Sequence, residues 1–282
     1  MDHIPFRGNK YQSEQAGKIH YTNMKGKGHL FTHLLVLLLC LITGEGAEII
    51  DGNEVPPHSL PFMALLQDSK GTQFCGGTLI DLQWVLTAAH CNIVSSVLLG
   101  VHTRSKSEME YRQLQKVKHS VLHPFYDPDT LDNDLMLLKL DRKAKKTKAV
   151  RPHTLPPPVQ DVPAGTGCVV AGWGATKNGG GMSDVLMSAN VTVIDRALCN
   201  SKDYYNLHPI ITNEMLCAGS KDKSHADTCY GDSGGPLLCE GKLRGVTSFG
   251  GEDCGVKDKP GVYAALTKEQ TQWIRKTIES LL

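Results

Sequence analysis

What this sequence lacks closes off several classes of protein. No apolar run approaches the roughly 20 residues that a membrane-crossing helix needs; the longest, Leu30 to Ile42, ends at Thr43 and Gly44. No Cys-x-x-Cys pair occurs among the nine cysteines, which argues against a structural zinc site. Neither sign of charge is in excess, 30 Lys and Arg facing 29 Asp and Glu. The field of the whole molecule therefore gives no reason to expect nucleic acid or an anionic membrane as the main partner. No helix-period pattern appears before Thr267, and there is neither an internal repeat nor a low-complexity tract.

The short apolar run has the marks of a leader. It follows Lys25 and Lys27, and its length fits the roughly 7–15 residues of a secretory h-region. Gly44 and Gly46, two apart, suit a signal peptidase that cleaves after Gly46 and leaves Ala47-Glu48-Ile49. Residues 1–46 are accordingly read as an N-terminal extension and signal peptide, with Met24 as an alternative start, and 47–48 as a separate dipeptide. Removal of Cys40 with the leader leaves eight cysteines, an even set that suits an oxidising compartment and four disulfides. Eight cysteines can pair in about 105 ways, and spacing alone does not choose among them.

From Pro61 onward, short β-type runs recur at the spacing of an all-β sandwich or barrel. They are PFMALLQ, QFCGGTLI, QWVLTAAH, SSVLLGVH and DLMLLKL, then GCVVAGWG, NVTVI, GPLLC, GVTSFG and GVYAAL. Between the two sets lies DRKAKKTKAVRPHTLPPPVQDVP, basic in its first half and proline-rich in its second. This is the composition of a surface connector, the favoured reading, and its basic part could also hold a sulfated polysaccharide or nucleic acid. At the end, Thr267-Lys268-Glu269-Gln270 has capping-box form and Trp273, Ile274, Ile278 and Leu281 share a helical face, which predicts a C-terminal helix.

The residues that carry chemistry lie in four separate stretches: Ile49 in IIDG, His90 in TAAHC, Asp134 in DNDLMLL and Ser233 in DTCYGDSGGP. A serine hydroxyl becomes a good nucleophile when an imidazole removes its proton. The imidazole in turn needs a carboxylate to hold its tautomer and stabilise the imidazolium. Ser233 is thus the candidate nucleophile, His90 the base and Asp134 its orienting partner. The glycines around Ser233 let the backbone N–H groups of Gly231 and Ser233 converge on an oxyanion.

With these motifs in the order His, Asp, Ser, the chain from Ile49 to its end resembles the chymotrypsin-like (S1) serine peptidases. Within them it is similar to the granzyme A-like branch of the granzymes, through IIDGNEVPPHS, WVLTAAHCN, NVTVIDRALCN and PLLCEGKLRGVTSFG. The resemblance implies an all-β fold of two six-stranded antiparallel β-barrels, the first over about 49–150 and the second, with the C-terminal helix, over about 151–282. It implies disulfides Cys75–Cys91, Cys168–Cys239, Cys199–Cys217 and Cys229–Cys254. It also implies that a new N-terminus at Ile49 pairs with Asp232 once Ala47-Glu48 is removed by a dipeptidyl peptidase of the cathepsin C type.

The same resemblance places Asp227 at the bottom of a substrate pocket walled by Gly250 and Gly261, which implies protein substrates cleaved after Lys or Arg. Ser248, Phe249 and Gly250 would pair with the extended substrate backbone. Storage in cytotoxic secretory granules and inhibition by serpins belong to the same implication. Asn190-Val191-Thr192 is a glycosylation sequon, meaningful because secretion is expected. His58, His119, His123 and His208 form no ligand spacing, so neither metal nor cofactor is expected. The branch makes a disulfide-linked dimer through a cysteine in the loop before the triad aspartate. Phe125 stands there in HPFYDPDTLDND, so a monomer without an interchain disulfide is expected. Two other functions compete. An extracellular trypsin-like protease of plasma or mucosa is disfavoured by Glu48, which does not suit tryptic activation. A catalytically idle binding homologue is disfavoured because both His90 and Ser233 are present.

Overall fold

The computed structural model describes residues 49–106, 108–157, 161–220 and 225–281. The leader and the Ala47-Glu48 dipeptide lie outside them. A two-residue strand, β1 (Asn53–Glu54), comes first. Six strands then close into a barrel: β2 (Met63–Gln67), β3 (Gln73–Asp81), β4 (Trp84–Thr87), β5 (Ser96–Leu99), β6 (Gln113–Leu122) and β7 (Met136–Leu140), in the order β2-β3-β4-β7-β6-β5. A second ring follows with β8 (Gly167–Gly172), β9 (Met187–Ile194), β10 (Met215–Gly219), β11 (Pro236–Cys239), β12 (Lys242–Phe249) and β13 (Gly261–Ala265). Its order is β9-β10-β13-β12-β11-β8, closed by the β8–β9 pairing, and β1 hangs on the free side of β9. Every pairing is antiparallel. This is the two-barrel, all-β architecture that the resemblance implies.

The strands form where the side-chain period demands them. In β9, MSANVTVI alternates buried and accessible positions along its length, as a strand with one face on the core must. In β4 and β13, WVLT and GVYAA are buried throughout, because the outer faces of these strands are covered as well. One apolar cluster fills the first barrel and continues through Trp173, Leu238, Val246 and Ala264 into the second. The two barrels are thereby packed on each other along the seam where the chemistry-bearing residues lie.

Three strands are absent from the sequence reading: the two-residue β1, β6 and β10. A one-turn helix, α1 (Arg196–Cys199), was also missed; the Asp195 side chain caps it by accepting from the N–H groups of Ala197 and Leu198. The C-terminal helix α2 runs over Lys268–Ser280, with Leu281 just beyond it. Its capping box does not form as such. The Thr267 hydroxyl bonds the Gln270 side-chain oxygen instead of a backbone N–H. The four disulfides join Cys75–Cys91, Cys168–Cys239, Cys199–Cys217 and Cys229–Cys254. Between Leu140 and Gly167 the described residues form neither helix nor strand, and buried Ala144 and Val150 anchor this segment.

Candidate active site

β4 ends at Thr87 and runs into a 3-10 turn, Ala89–Cys91, which the Cys75–Cys91 bridge ties to β3. His90 sits on that turn with its side chain 28% exposed, while Asp134 is fully buried. Asp134 uses both oxygens. Oδ1 accepts the His90 backbone N–H at 3.0 Å, and Oδ2 lies 2.7 Å from His90 Nδ1 and accepts the Ser248 hydroxyl at 2.5 Å. An ionised carboxylate has only acceptors, so an imidazole bonded to it through Nδ1 carries its proton there and leaves Nε2 with a free lone pair. The sequence assigned Ser248 to substrate binding and missed its bond to Asp134. The cause is a bulge: Thr247 pairs with Tyr263 and Phe249 with Val262, so Ser248 is the extra residue whose side chain is turned toward the seam.

Ser233 lies between Gly231, at φ +97°, and Gly234, at φ +79°. A Cβ on Gly234 would meet Thr87 Oγ1 at 2.1 Å and Gly76 O at 2.4 Å, so this turn admits glycine alone. The Gly76 N–H donates to Ser233 O at 2.8 Å, which fastens the serine turn to the strand that also carries Cys75. Cys75, Cys91 and His90 place potential ligand atoms within 4.8 Å of one another, but both sulfurs belong to a disulfide and are unavailable to a metal. Among the described residues, the N–H groups of Gly231 and Ser233 donate to no protein acceptor, whereas those of Asp232, Gly234 and Gly235 are all bonded within the protein. Two unpaired donors flanking a serine are what an oxyanion requires.

Asp232 is fully buried and accepts N–H bonds from Gly174 at 2.7 Å and Cys229 at 3.0 Å. Burial pushes its carboxyl up to about 6 against the pull of those two donors. Its surroundings are kept free of side chains: a Cβ at Gly172 or Gly174 would stand 2.1 or 2.3 Å from its oxygens. Ile49 is fully buried among the side chains of the second barrel. Behind it, Ile50 O accepts the Asp227 N–H at 3.4 Å and Asp51 Oδ2 accepts the His225 N–H at 2.6 Å. Residues 49–51 are thus bonded to the segment that leads into Asp227.

A cavity of about 340 Å³ opens beside Ser233, with Asp227, Thr228, Ser248, Phe249 and Gly250 among its walls. Asp227 is 4% exposed. Burial pushes its carboxyl up to about 7, while the N–H groups of Gly255 and Thr228 pull it down. A Cβ built on Gly250 would lie 4.0 Å from the Gly261 Cα, and one on Gly261 would press within 2.8 Å of Asp227 Oδ1. Gly250 thus lines the cavity, and a side chain at Gly261 would crowd the Asp227 carboxylate. Away from this cleft, Asn190 is exposed on the outer face of β9 and Phe125 is 76% exposed. Arg142, Lys143, Lys145, Lys146 and Lys148 are exposed, beside exposed Lys116 of β6, and the Arg142 guanidinium donates to Gln115 Oε1 and Leu114 O.

Twin closed barrels with a buried carboxylate on a histidine at their seam, and a glycine-framed serine beside a pocket, define a serine protease of the trypsin type. Residues 49–274 match the Trypsin family model, and the chain belongs to that family. It is 48% identical to granzyme A of Bos taurus over 233 residues, covering 82% of this chain and 88% of that protein. It is also 42% identical to granzyme M of Homo sapiens, covering 86% and 95% respectively. Kallikrein-4 of Homo sapiens is 40% identical, covering 85% of this chain and 91% of that protein. Among solved structures, neuropsin, a serine protease expressed in the limbic system of mouse brain, superposes with a TM-score of 0.72 at 38% identity. The match covers 81% of this chain and 99% of that one.

Proposed function

We propose that the protein is a secreted serine endopeptidase that cleaves after Lys or Arg, stored in the granules of cytotoxic lymphocytes and released from its precursor by removal of Ala47-Glu48. The observation that carries the specificity is Asp227, a buried carboxylate set between glycines in a cavity whose lining holds no cationic side chain and also includes Glu252. In the reaction, the substrate cation enters that slot and its backbone lies along Ser248–Gly250. Ser233 Oγ attacks the carbonyl as its proton passes to His90 Nε2. The imidazolium then shares its Nδ1 proton with Asp134, and the oxyanion takes the N–H groups of Gly231 and Ser233. His90 returns its proton to the leaving amine, and water repeats the sequence on the acyl-enzyme. No metal or cofactor takes part in these steps.

The granule assignment is supported by the similarity to two granzymes and by Glu48, which suits a dipeptidyl peptidase of the cathepsin C type. The exposed basic segment 142–148 suits a sulfated polysaccharide, and the open cleft suits a serpin-type inhibitor. Exposed Asn190 in its sequon suits a glycan. A thioester series tests the core of the reading. Protein beginning at Ile49 should label with a fluorophosphonate and hydrolyse Lys and Arg thioesters about a hundredfold faster than Phe, Asp or Ala thioesters, the ratio that about 3 kcal/mol of charge pairing gives. Protein beginning at Ala47 should be nearly inert. A preference for Phe, or equal activity of the two forms, would overturn the corresponding half of the proposal.

A further inference from the structure

Asp134 can aim both oxygens at their donors only if the loop that carries it is held. That loop adopts an uncommon conformation: Leu131 and Asn133 have φ of +56° and +53°, values that side-chain-bearing residues rarely take without support. Asn133 is 9% exposed and turns its amide inward. Its Nδ2 donates to Phe125 O and Asp132 Oδ2, both at 3.2 Å, and its O accepts the Leu135 N–H at 2.7 Å across Asp134. Its Oδ1 accepts from Gln270 Nε2 at 3.0 Å, a buried bond between residues 137 positions apart.

Gln270 lies in the first turn of α2, is 2% exposed, and has its own oxygen engaged by the Thr267 hydroxyl. One turn further along, Trp273 packs edge-on to His123, with ring centroids 4.7 Å apart, and the His123 N–H donates to Leu135 O at 2.9 Å. From the second barrel, the Thr212 hydroxyl donates to Asp132 Oδ1 at 2.7 Å. The C-terminal helix therefore grips the loop on both sides of Asp134, and among the described residues its polar grip on that loop is the bond from Gln270.

We infer that Gln270 is a positioning residue for Asp134. Its amide holds Asn133 in the left-handed conformation, so that the following carboxylate faces both N–H groups of His90. The helix that ends the chain is in this way part of the device that orients the base. The inference rests on the reading of His90, Asp134 and Ser233 as the triad. A residue that merely packs the helix would affect how much enzyme is folded. A residue that aims Asp134 affects how fast each folded enzyme turns over and how strongly His90 holds its proton.

The test is a double-mutant cycle on protein beginning at Ile49, with fluorophosphonate titration to count competent sites. Gln270→Leu keeps the volume and removes the donor. It should lower kcat per titrated site about 10- to 100-fold, the scale of a small misplacement of a catalytic group, with KM unchanged. It should also lower the pH midpoint of kcat and shift or broaden the His90 Nδ1 proton resonance, because the imidazolium is less well stabilised. Glycine takes a positive φ without being held, so in an Asn133→Gly background the same change should alter kcat by less than about twofold. If Gln270→Leu does not fold, Gln270→Met is read in the same way. An unchanged kcat per site with an unchanged midpoint, or equal effects in both backgrounds, would overturn the inference even if the melting temperature drops. Failure of the wild-type protein to label at Ser233 would instead overturn the triad reading on which it rests.

Discussion

At the scale of single residues, Asp227 makes the sharpest demand on chemistry, because its environment opposes the charge that its proposed role requires. A carboxyl raised from 3.8 to about 7 binds more protons folded than unfolded, so its contribution to stability is full below pH 4 and is lost as the pH rises through 7. A bound cation reverses this preference, since it favours the ionised form. An amidinium ligand should therefore bind about tenfold more weakly for each pH unit below 7, and near-constantly above 8. Titration calorimetry on His90→Ala protein, which removes the imidazole from the cleft, should show that slope, and Asp227→Ser should flatten it. A flat profile with Asp227 in place would mean that the carboxylate is already ionised in the empty pocket. The sequence singled out His90, Asp134 and Ser233 because the proposed reaction roles admit few residue types, and Asp227 only through the family resemblance. The bond from Ser248 to Asp134 was not legible, since it depends on a bulge that joins residues 114 apart. Gln270 was legible only as part of a capping box, and its amide acts elsewhere.

At the scale of elements, the end of β8 shows how a strand can serve a site by what it omits. Gly172 closes that strand, and a Cβ there would lie 2.1 Å from Asp232 Oδ1. Gly172→Ala should leave the barrels intact by circular dichroism, with a stability loss of about 1–3 kcal/mol for overpacking, but should cut fluorophosphonate labelling at Ser233 at least tenfold by displacing Asp232. Normal labelling would show that the Asp232 pocket has slack. The strands legible in the sequence are those with dense apolar runs, such as WVLT and GVYAA, where burial on both faces leaves little else for the segment to be. β6 was missed because most of QLQKVKHSVL faces solvent and its Lys, Gln and His residues hide the alternation. β10, MLCAG, was missed for the opposite reason: it is short and wholly buried, with no alternation to see. Like the two-residue β1, the helix α1 is too brief for periodicity, at four residues, and is announced only by its Asp195 cap.

At the scale of the whole molecule, the cysteines decide whether two copies are joined. All eight cysteines among the described residues are engaged in four bonds within the chain, and the ninth, Cys40, falls in the leader that is expected to be removed. An interchain bridge needs an odd cysteine left over, and none remains among the described residues. Where the resemblance leads one to look for that cysteine, Phe125 stands instead, 76% exposed at the tip of the loop held by Asn133. Its neighbour Tyr126 is packed against the first-barrel core and so does not add to the exposed apolar surface that Phe125 presents. A dimer of this fold would hold two clefts in fixed relation and restrict the approach of large folded substrates. A monomer lacks that restriction. Protein beginning at Ile49 should run on non-reducing electrophoresis as one band at the single-chain mass, and light scattering at micromolar concentration should give the same mass. Phe125→Cys, by supplying the missing thiol, should produce a band at twice that mass that collapses on reduction. A doubled band from the unmodified protein would show that one of the four intrachain bonds is open in solution and that the loop before Asp134 is not the only route to a covalent pair.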